Sequence, residues 1–234
     1  VPQMVYYQPG VGTGTWGLAN SIDAATGKGT TANIREAYSF LCHNYTRVNH
    51  FALSDDIILI GFSRGAFTAR CLAQFIHDVG ILRKAGLVAL PKLFELWENQ
   101  LKSGNQRRLE HECDQLAKKK YLYRRVRINV CAVWDTVASL GSVANLGSQT
   151  PQWLTFVNSK LCCCIENAFQ ALALHERRKQ FLPIPWRTGN TGQNLKQCWF
   201  LGCHGDVGGG VEDPILAHIS LVWMLSQLRP FLKM

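Results

Sequence analysis

The sequence predicts an α/β fold, a mostly parallel sheet with helices packed on both of its faces. Three observations carry that expectation. Short apolar runs lie at 57–60, 128–133 (broken only by Asn129) and 198–201, as strands covered on both faces require, because neither side of such a strand meets water. Segments with apolar residues at helical spacing alternate with these runs. Each run also ends near a residue with chemistry to offer: Ser63, Asp135 and His204.

Along the chain, residues 4–7 form a strand candidate, followed by Pro9-Gly10 and glycines at 12, 14 and 17. A loop so rich in glycine can bring backbone N–H groups close to a ligand. Apolar residues Ile34, Ala37, Tyr38, Leu41, Cys42 and Tyr45 predict a helix over 31–45. The run at 57–60 is the first buried strand, residues 61–65 turn the chain, and 66–79 read as a helix. Leu90, Leu93, Phe94 and Trp97 predict a helix over 87–101, with Pro91 in its first turn. The polar, basic stretch 102–127 keeps a thin seam of Leu109, Cys113, Leu116 and Leu122. After the second strand, at 128–133, a helix is predicted over 166–178. The third strand ends in Gly202-Cys203-His204-Gly205-Asp206. Asp213-Pro214 then open a last helix with Leu216, Ile219, Trp223, Met224 and Leu228 on one side.

Composition narrows the function classes. The 234 residues read as one domain, 1–234, with no repeat and no linker long enough to divide it. Hydrophobic residues at 47% and charged residues at 18% exclude a disordered chain. The formal charge of +9 suits an anionic partner: a phospholipid headgroup, a membrane surface or nucleic acid. Nine cysteines, three of them consecutive at 162–164, are poor material for a disulfide framework, so a reducing, cytoplasmic setting is expected. No signal-peptide pattern opens the sequence, and the uncharged stretch 214–227 is too short to span a bilayer. Oligomeric state leaves no mark on the sequence.

The strongest local signal is Gly61-Phe62-Ser63-Arg64-Gly65, directly after a buried strand and directly before a helix. A serine on such a turn projects its Oγ above the sheet, with small flanking residues preventing collision. The helix N-terminus and the Arg64 N–H can then stabilise an oxyanion. Serine needs a base, and the base needs an orienting carboxylate. Asp135 and His204 end the next two strands, and parallel strands bring those ends to one edge of the sheet. Ser63, Asp135 and His204 are therefore the expected catalytic set. Asp135 has an alternative role, capping its own turn through the Thr136 and Val137 N–H groups. Asp206 and Asp78 are the rival acids.

These residues resemble a known family. The stretches 61–70, 133–141 and His204-Gly205-Asp206-Val207-Gly208-Gly209-Gly210 look like an uncharacterised α/β-hydrolase domain family of fungi and bacteria. That family includes the catalytic domain of type VI secretion phospholipase effectors. Residues 6–14, 32–45, His175-Glu176-Arg177-Arg178 and 221–224 resemble it too, so the likeness covers nearly the whole chain. It implies an α/β-hydrolase-like fold and a serine hydrolase, with phospholipase activity in the effector branch. Ser63 corresponds to its nucleophile, and His204 matches its His-x-Asp-Val-Gly-Gly-Gly motif. Family members usually begin with a further strand ending in Asp-Gly-Thr-Trp-Asn, which this sequence lacks. The strand carrying the nucleophile is accordingly expected to expose an edge. An acid common in the last helix is also replaced, at Leu216-Ala217-His218-Ile219, where His218 reads as a surface histidine.

The resulting expectation is a serine ester hydrolase acting on a carboxylic ester, with a phospholipid acyl ester as the implied case and no cofactor. The oxyanion donors would be the Arg64 N–H and one from the loop carrying Gly12 and Gly14. Two alternatives come from other classes. One is a catalytically silent scaffold, because of the absent strand; the other is a metal-dependent phosphoesterase built on His204, Asp206 and Asp135. Weaker patterns fall short. Gly12-Thr13-Gly14-Thr15-Trp16-Gly17 lacks the helix and acid of a dinucleotide fingerprint. Gly27-Lys28-Gly29-Thr30 lacks P-loop spacing. Cys162-Cys163-Cys164 with Cys198, Cys203 and His204 lack paired zinc-ligand spacing and read as apolar thiols. Lys118-Lys119-Lys120 with Arg124, Arg125 and Arg127 read as a solvated face or a contact for anionic lipid. No nucleic-acid-binding signature accompanies them.

Overall fold

A computed structural model of the chain describes residues 2–10, 28–48, 53–137, 160–187 and 192–232. Helix α1 (Lys28–Asn44) buries Ile34, Tyr38 and Cys42, one stripe at helical spacing. A short antiparallel pair, β1 (Arg47–Val48) and β2 (Leu53–Ser54), leads to β3 (Ile58–Phe62) and α2 (Arg64–Val79). Next come β4 (Ile81–Leu82), a 3-10 turn (Lys84–Ala89), α3 (Leu90–Glu98) and α4 (Asn105–Lys118). Strand β5 (Leu122–Tyr123) pairs with β4, and β6 (Ile128–Trp134) and β7 (Ile165–Ala173) follow. After a 3-10 turn (Lys179–Phe181) the chain closes with β8 (Asn194–Phe200), α5 (His204–Gly208) and α6 (Ile215–Leu228).

The main sheet has the order β3-β6-β7-β8, and every pair in it is parallel. Its faces alternate as strand geometry demands: Cys131 and Val133 join the core under α1 to α4, whereas Val130 and Ala132 join the one under α5 and α6. The expected α/β architecture, parallel and flanked by helices, is the one observed. Helix α2 is buried along most of its length, so even Arg70 must find partners inside. The Arg70 guanidinium donates to the Ile184 carbonyl at 2.8 Å and lies over the Trp186 ring, 4.7 Å from its centroid. Burial pushes its pKa down to about 10, which leaves it charged at neutral pH.

Several elements depart from the sequence reading, each for a physical reason. The helix predicted at 166–178 is instead β7, the second central strand. Its Ala, Leu, Gln and Glu favour helix intrinsically, but Ala168 to Ala173 are buried between two strands and two helical layers. There, packing outweighs propensity. Residues 4–7 form no strand: Met4, Val5 and Tyr7 are exposed, and Tyr6 stacks on Phe40. Pro91 does stand in the first turn of α3, but the residues before Leu90 coil as a 3-10 turn. The thin seam at 102–127 is the buried side of α4, where Leu109 and Cys113 meet the core. Strand β3 is covered fully on one face and only in part on the other, where Ile58 meets the second core. Among the described residues it pairs with β6 alone, and Ile60 is 51% exposed. Helix α6 buries Met224 and Leu228 but leaves Ile219 54% exposed, because only one narrow side of it reaches the sheet.

Tyr38 closes the α1 side of the fold. Its fully buried hydroxyl donates to the Gly80 carbonyl at 3.0 Å and accepts the Leu82 N–H at 3.1 Å. Burial raises its pKa well above the ordinary tyrosine range, so it stays a neutral donor. Tyr38→Phe leaves both backbone groups unanswered and is expected to cost about 1–3 kcal/mol in urea unfolding. An unchanged midpoint would show that the bond contributes nothing.

Candidate active site

Strand β3 runs into α2 through a single residue, Ser63. Its backbone sits at φ 59 and ψ −123, a conformation that side-chain-bearing residues rarely adopt. Bonds from neighbouring elements hold it there: the Ser63 N–H donates to the Trp134 carbonyl at 3.0 Å, and the Phe67 N–H donates to the Ser63 carbonyl at 3.2 Å. The first glycine of the motif is dictated by space, because a Cβ on Gly61 would stand 2.5 Å from the Gly65 carbonyl oxygen. The second is not. A Cβ on Gly65 would meet nothing within 4 Å, so only one flanking position must be bare.

Asp135 follows the end of β6 at a φ of 41 and is wholly buried. Its Oδ1 accepts the Ala173 N–H from the end of β7 at 2.8 Å. Its Oδ2 lies 2.6 Å from His204 Nδ1. Asp135 therefore binds across the sheet rather than capping its own turn.

His204 opens α5 beyond β8. Its Nε2 lies 2.7 Å from Ser63 Oγ. A carboxylate can only accept, so Nδ1 carries the proton and Nε2 is left to accept the serine hydroxyl. The Phe62 ring stacks on the imidazole at 4.7 Å, and the Phe181 ring stands tilted beside it at 5.2 Å between centroids. A hydroxyl bonded to an imidazole, itself oriented by a buried carboxylate, can surrender its proton to that ring.

The other expected residues separate. Asp206 caps α5, its Oδ2 accepting the Cys203 N–H at 2.7 Å. Asp78 lies at the far end of α2, where it accepts Trp97 Nε1 at 2.8 Å and Gln74 Nε2 at 2.9 Å. Among the described residues, His204, Asp206 and Asp135 do not gather their ligand atoms as a cation would require. Arg64 is the first residue of α2 and half-buried. Gly12 and Gly14 lie outside the described residues. The basic stretch is partly spent within the chain: Arg124 donates to the Asp78 and Val79 carbonyls at the C-terminal end of α2, and Arg127 pairs with Glu166 at 2.8 Å on the surface. His218 is exposed, as expected.

Sequence reasoning missed Glu176. Its side chain is 1% exposed, and its Oε2 accepts the His204 N–H at 3.2 Å. It also accepts the Arg177 N–H at 3.0 Å and the Arg178 N–H at 2.8 Å, and the Arg178 guanidinium grips both oxygens at 2.9 and 2.7 Å. Hydrogen bonding from that guanidinium holds the carboxyl down to about 2. The run His175-Glu176-Arg177-Arg178 was the available signal, read only as part of a resemblance.

Residues 1–227 match the family described as T6SS, phospholipase effector Tle1-like, catalytic domain. The chain is also 28% identical over 206 residues to an uncharacterised protein of Saccharomyces cerevisiae, YEL023C. That likeness covers 79% of this chain but only 28% of the length of the yeast protein. Among the described residues, no helix is long and apolar enough to cross a membrane.

Glu176 gives the site a pH signature. Its folded pKa is depressed from 4.5 to about 2, so its contribution to folding is full above 4.5 and lost as pH falls through that window. The stability advantage of the starting protein over Glu176→Gln is therefore expected to shrink between pH 4.5 and about 2, in urea unfolding followed against pH. Parallel curves would remove Glu176 from this role.

Proposed function

This chain belongs to the T6SS phospholipase effector Tle1-like catalytic domain family, and within that hydrolase-type family we propose that it is a serine ester hydrolase. The observation that carries the reading is the unbroken relay from Ser63 Oγ through His204 to Asp135, at 2.7 and 2.6 Å. Ser63 Oγ attacks the acyl carbonyl while His204 Nε2 accepts its proton. The imidazolium returns that proton to the leaving alkoxide, which departs as an alcohol and leaves an acyl-serine. Water, deprotonated by the same nitrogen, then attacks the acyl carbon, and the carboxylic acid leaves as Ser63 recovers its proton. Asp135 remains ionised and fixes the tautomer. The Arg64 N–H, at the positive end of α2, is the proposed oxyanion donor. The sequence assigns a second donor to the loop carrying Gly12 and Gly14.

For the substrate we take a phospholipid acyl ester, as the family description implies. Leu174, Leu201 and Val211 are exposed at the carboxyl edge of the sheet, the edge that also carries Ser63, and they supply apolar surface for an acyl chain. The excess of Lys and Arg favours an anionic bilayer surface. Lys118-Lys119-Lys120 follow from the end of α4 and precede β5, which pairs with the strand just beyond the C-terminal end of α2. They lie about 20 Å of helix away from Ser63 and so are poorly sited to hold a headgroup there. The relay also supports an active enzyme over a catalytically silent scaffold, which would tolerate a separated set.

Hydrolysis of a short-chain ester is expected to fall by at least about 10⁴-fold in Ser63→Ala and by about 10³–10⁴-fold in Asp135→Asn, with folding retained. The same ordering is expected on phosphatidylglycerol vesicles. Full activity in Ser63→Ala would overturn the mechanism. Short-chain ester hydrolysis by the starting protein with no activity on any phospholipid vesicle would overturn the substrate alone.

A further inference from the structure

A second cluster of reactive side chains lies at the opposite end of α2. The turn that leads into β7 carries Cys162, Cys163 and Cys164, and it packs against the last turns of that helix. Cys162 and Cys164 both direct their thiols at one acceptor, the Ala73 carbonyl, at 3.8 and 3.5 Å. Their sulfurs are 3.3 Å apart and unbonded. A ring nitrogen of His77 joins them, so that the three ligand atoms all lie within 4.8 Å of one another. Cys163 points outward, and its sulfur approaches the same ring, 3.4 Å from Nε2.

The sequence reading set a zinc site aside because adjacent cysteines cannot all face one ion. The turn answers that objection. One intervening residue lets Cys162 and Cys164 face the same way, and the histidine comes from another element. Cys198, Cys203 and His204 belong instead to β8, the turn after it and α5. Zinc–sulfur bonds near 2.3 Å and zinc–nitrogen bonds near 2.0–2.1 Å place tetrahedral ligands about 3.5–3.8 Å apart. The observed cluster needs only small side-chain rotations to reach that spacing.

We propose that His77, Cys162 and Cys164 form a binding site for a thiophilic divalent cation of the zinc type, with the fourth position open to solvent beside the exposed His77. Each coordinating thiol gives its proton to solvent, and the ion takes up the sulfur lone pair; no oxidant or reductant is involved. His77 lies fourteen residues beyond Ser63 on one helix, about 20 Å along its axis. The ion is thus a clamp between α2 and the entry to β7, distinct from the ester-hydrolysing site and independent of its assignment.

Cobalt and zinc binding to the reduced, intact chain tests this. Cobalt(II) is expected to produce thiolate-to-metal charge-transfer absorption that zinc abolishes, and dialysed protein is expected to retain about one equivalent of zinc. Cys162→Ser/Cys164→Ser should lose both signals. His77→Ala, whose side chain is exposed and whose loss spares the core, should weaken zinc affinity at least about tenfold. Zinc should also raise the melting temperature of the starting protein and not that of the cysteine variant. Absence of charge transfer from reduced, folded protein would overturn the site, as would equal zinc affinity in His77→Ala. A Cys162–Cys164 disulfide with no metal retained would assign the pair to redox chemistry instead.

Discussion

A carboxylate with no exposed surface must be answered by hydrogen bonds, because a stranded buried charge costs several kcal/mol. Asp135 is that group, and its two answers come from different elements: the Ala173 N–H at the end of β7 and the His204 imidazole at the start of α5. Through it, the ends of β6, β7 and β8 are drawn to a common point. Ser63, bound to the other nitrogen of His204, extends the same chain of bonds to β3. Removing the Asp135 charge alters the imidazole tautomer, and removing the whole carboxyl group also leaves the Ala173 N–H without its partner.

The parallel sheet supplies the convergence, and local strain supplies the aim. Ser63 and Asp135 both adopt positive φ at strand ends, at 59 and 41, where an extended strand would carry their side chains past the site. Such conformations survive only where surrounding bonds over-determine them. The Trp134 carbonyl and the Ala173 N–H do so on one side. On the other, Glu176 ties the His204 backbone down while Phe62 and Phe181 confine its ring. A polar framework beneath does similar work. Gln170, fully buried in β7, donates to the Ile184 carbonyl at 3.0 Å and accepts the Trp186 N–H at 3.2 Å, and the same Ile184 carbonyl also receives Arg70.

Sequence revealed the architecture and the three convergent residues because both were written in local patterns. Apolar runs announced β3, β6 and β8, and a nucleophile-type turn or an acid or histidine stood just beyond each. What stayed hidden was set by tertiary context. Strand β7 is made of Ala, Gln and Leu, and only its place between β6 and β8 makes it extended. Ile60 is exposed where β3, among the described residues, has one open edge; the family's missing first strand pointed to that edge, but the apolar run itself does not report it. Glu176 looked like one charge in a charged run, and its role depends on a backbone N–H twenty-eight residues away. The cysteine triplet was visible, but His77, which gives it a second element to bind with, was not adjacent in sequence.

Catalysis by this site rests on His204 activating Ser63. Intact mass after exposure to a fluorophosphonate probe tests it without knowledge of the substrate. One adduct is expected on the folded protein, located to Ser63 by peptide mapping and absent from Ser63→Ala. Folded protein that acquires no adduct, or an adduct that persists in Ser63→Ala, would contradict it.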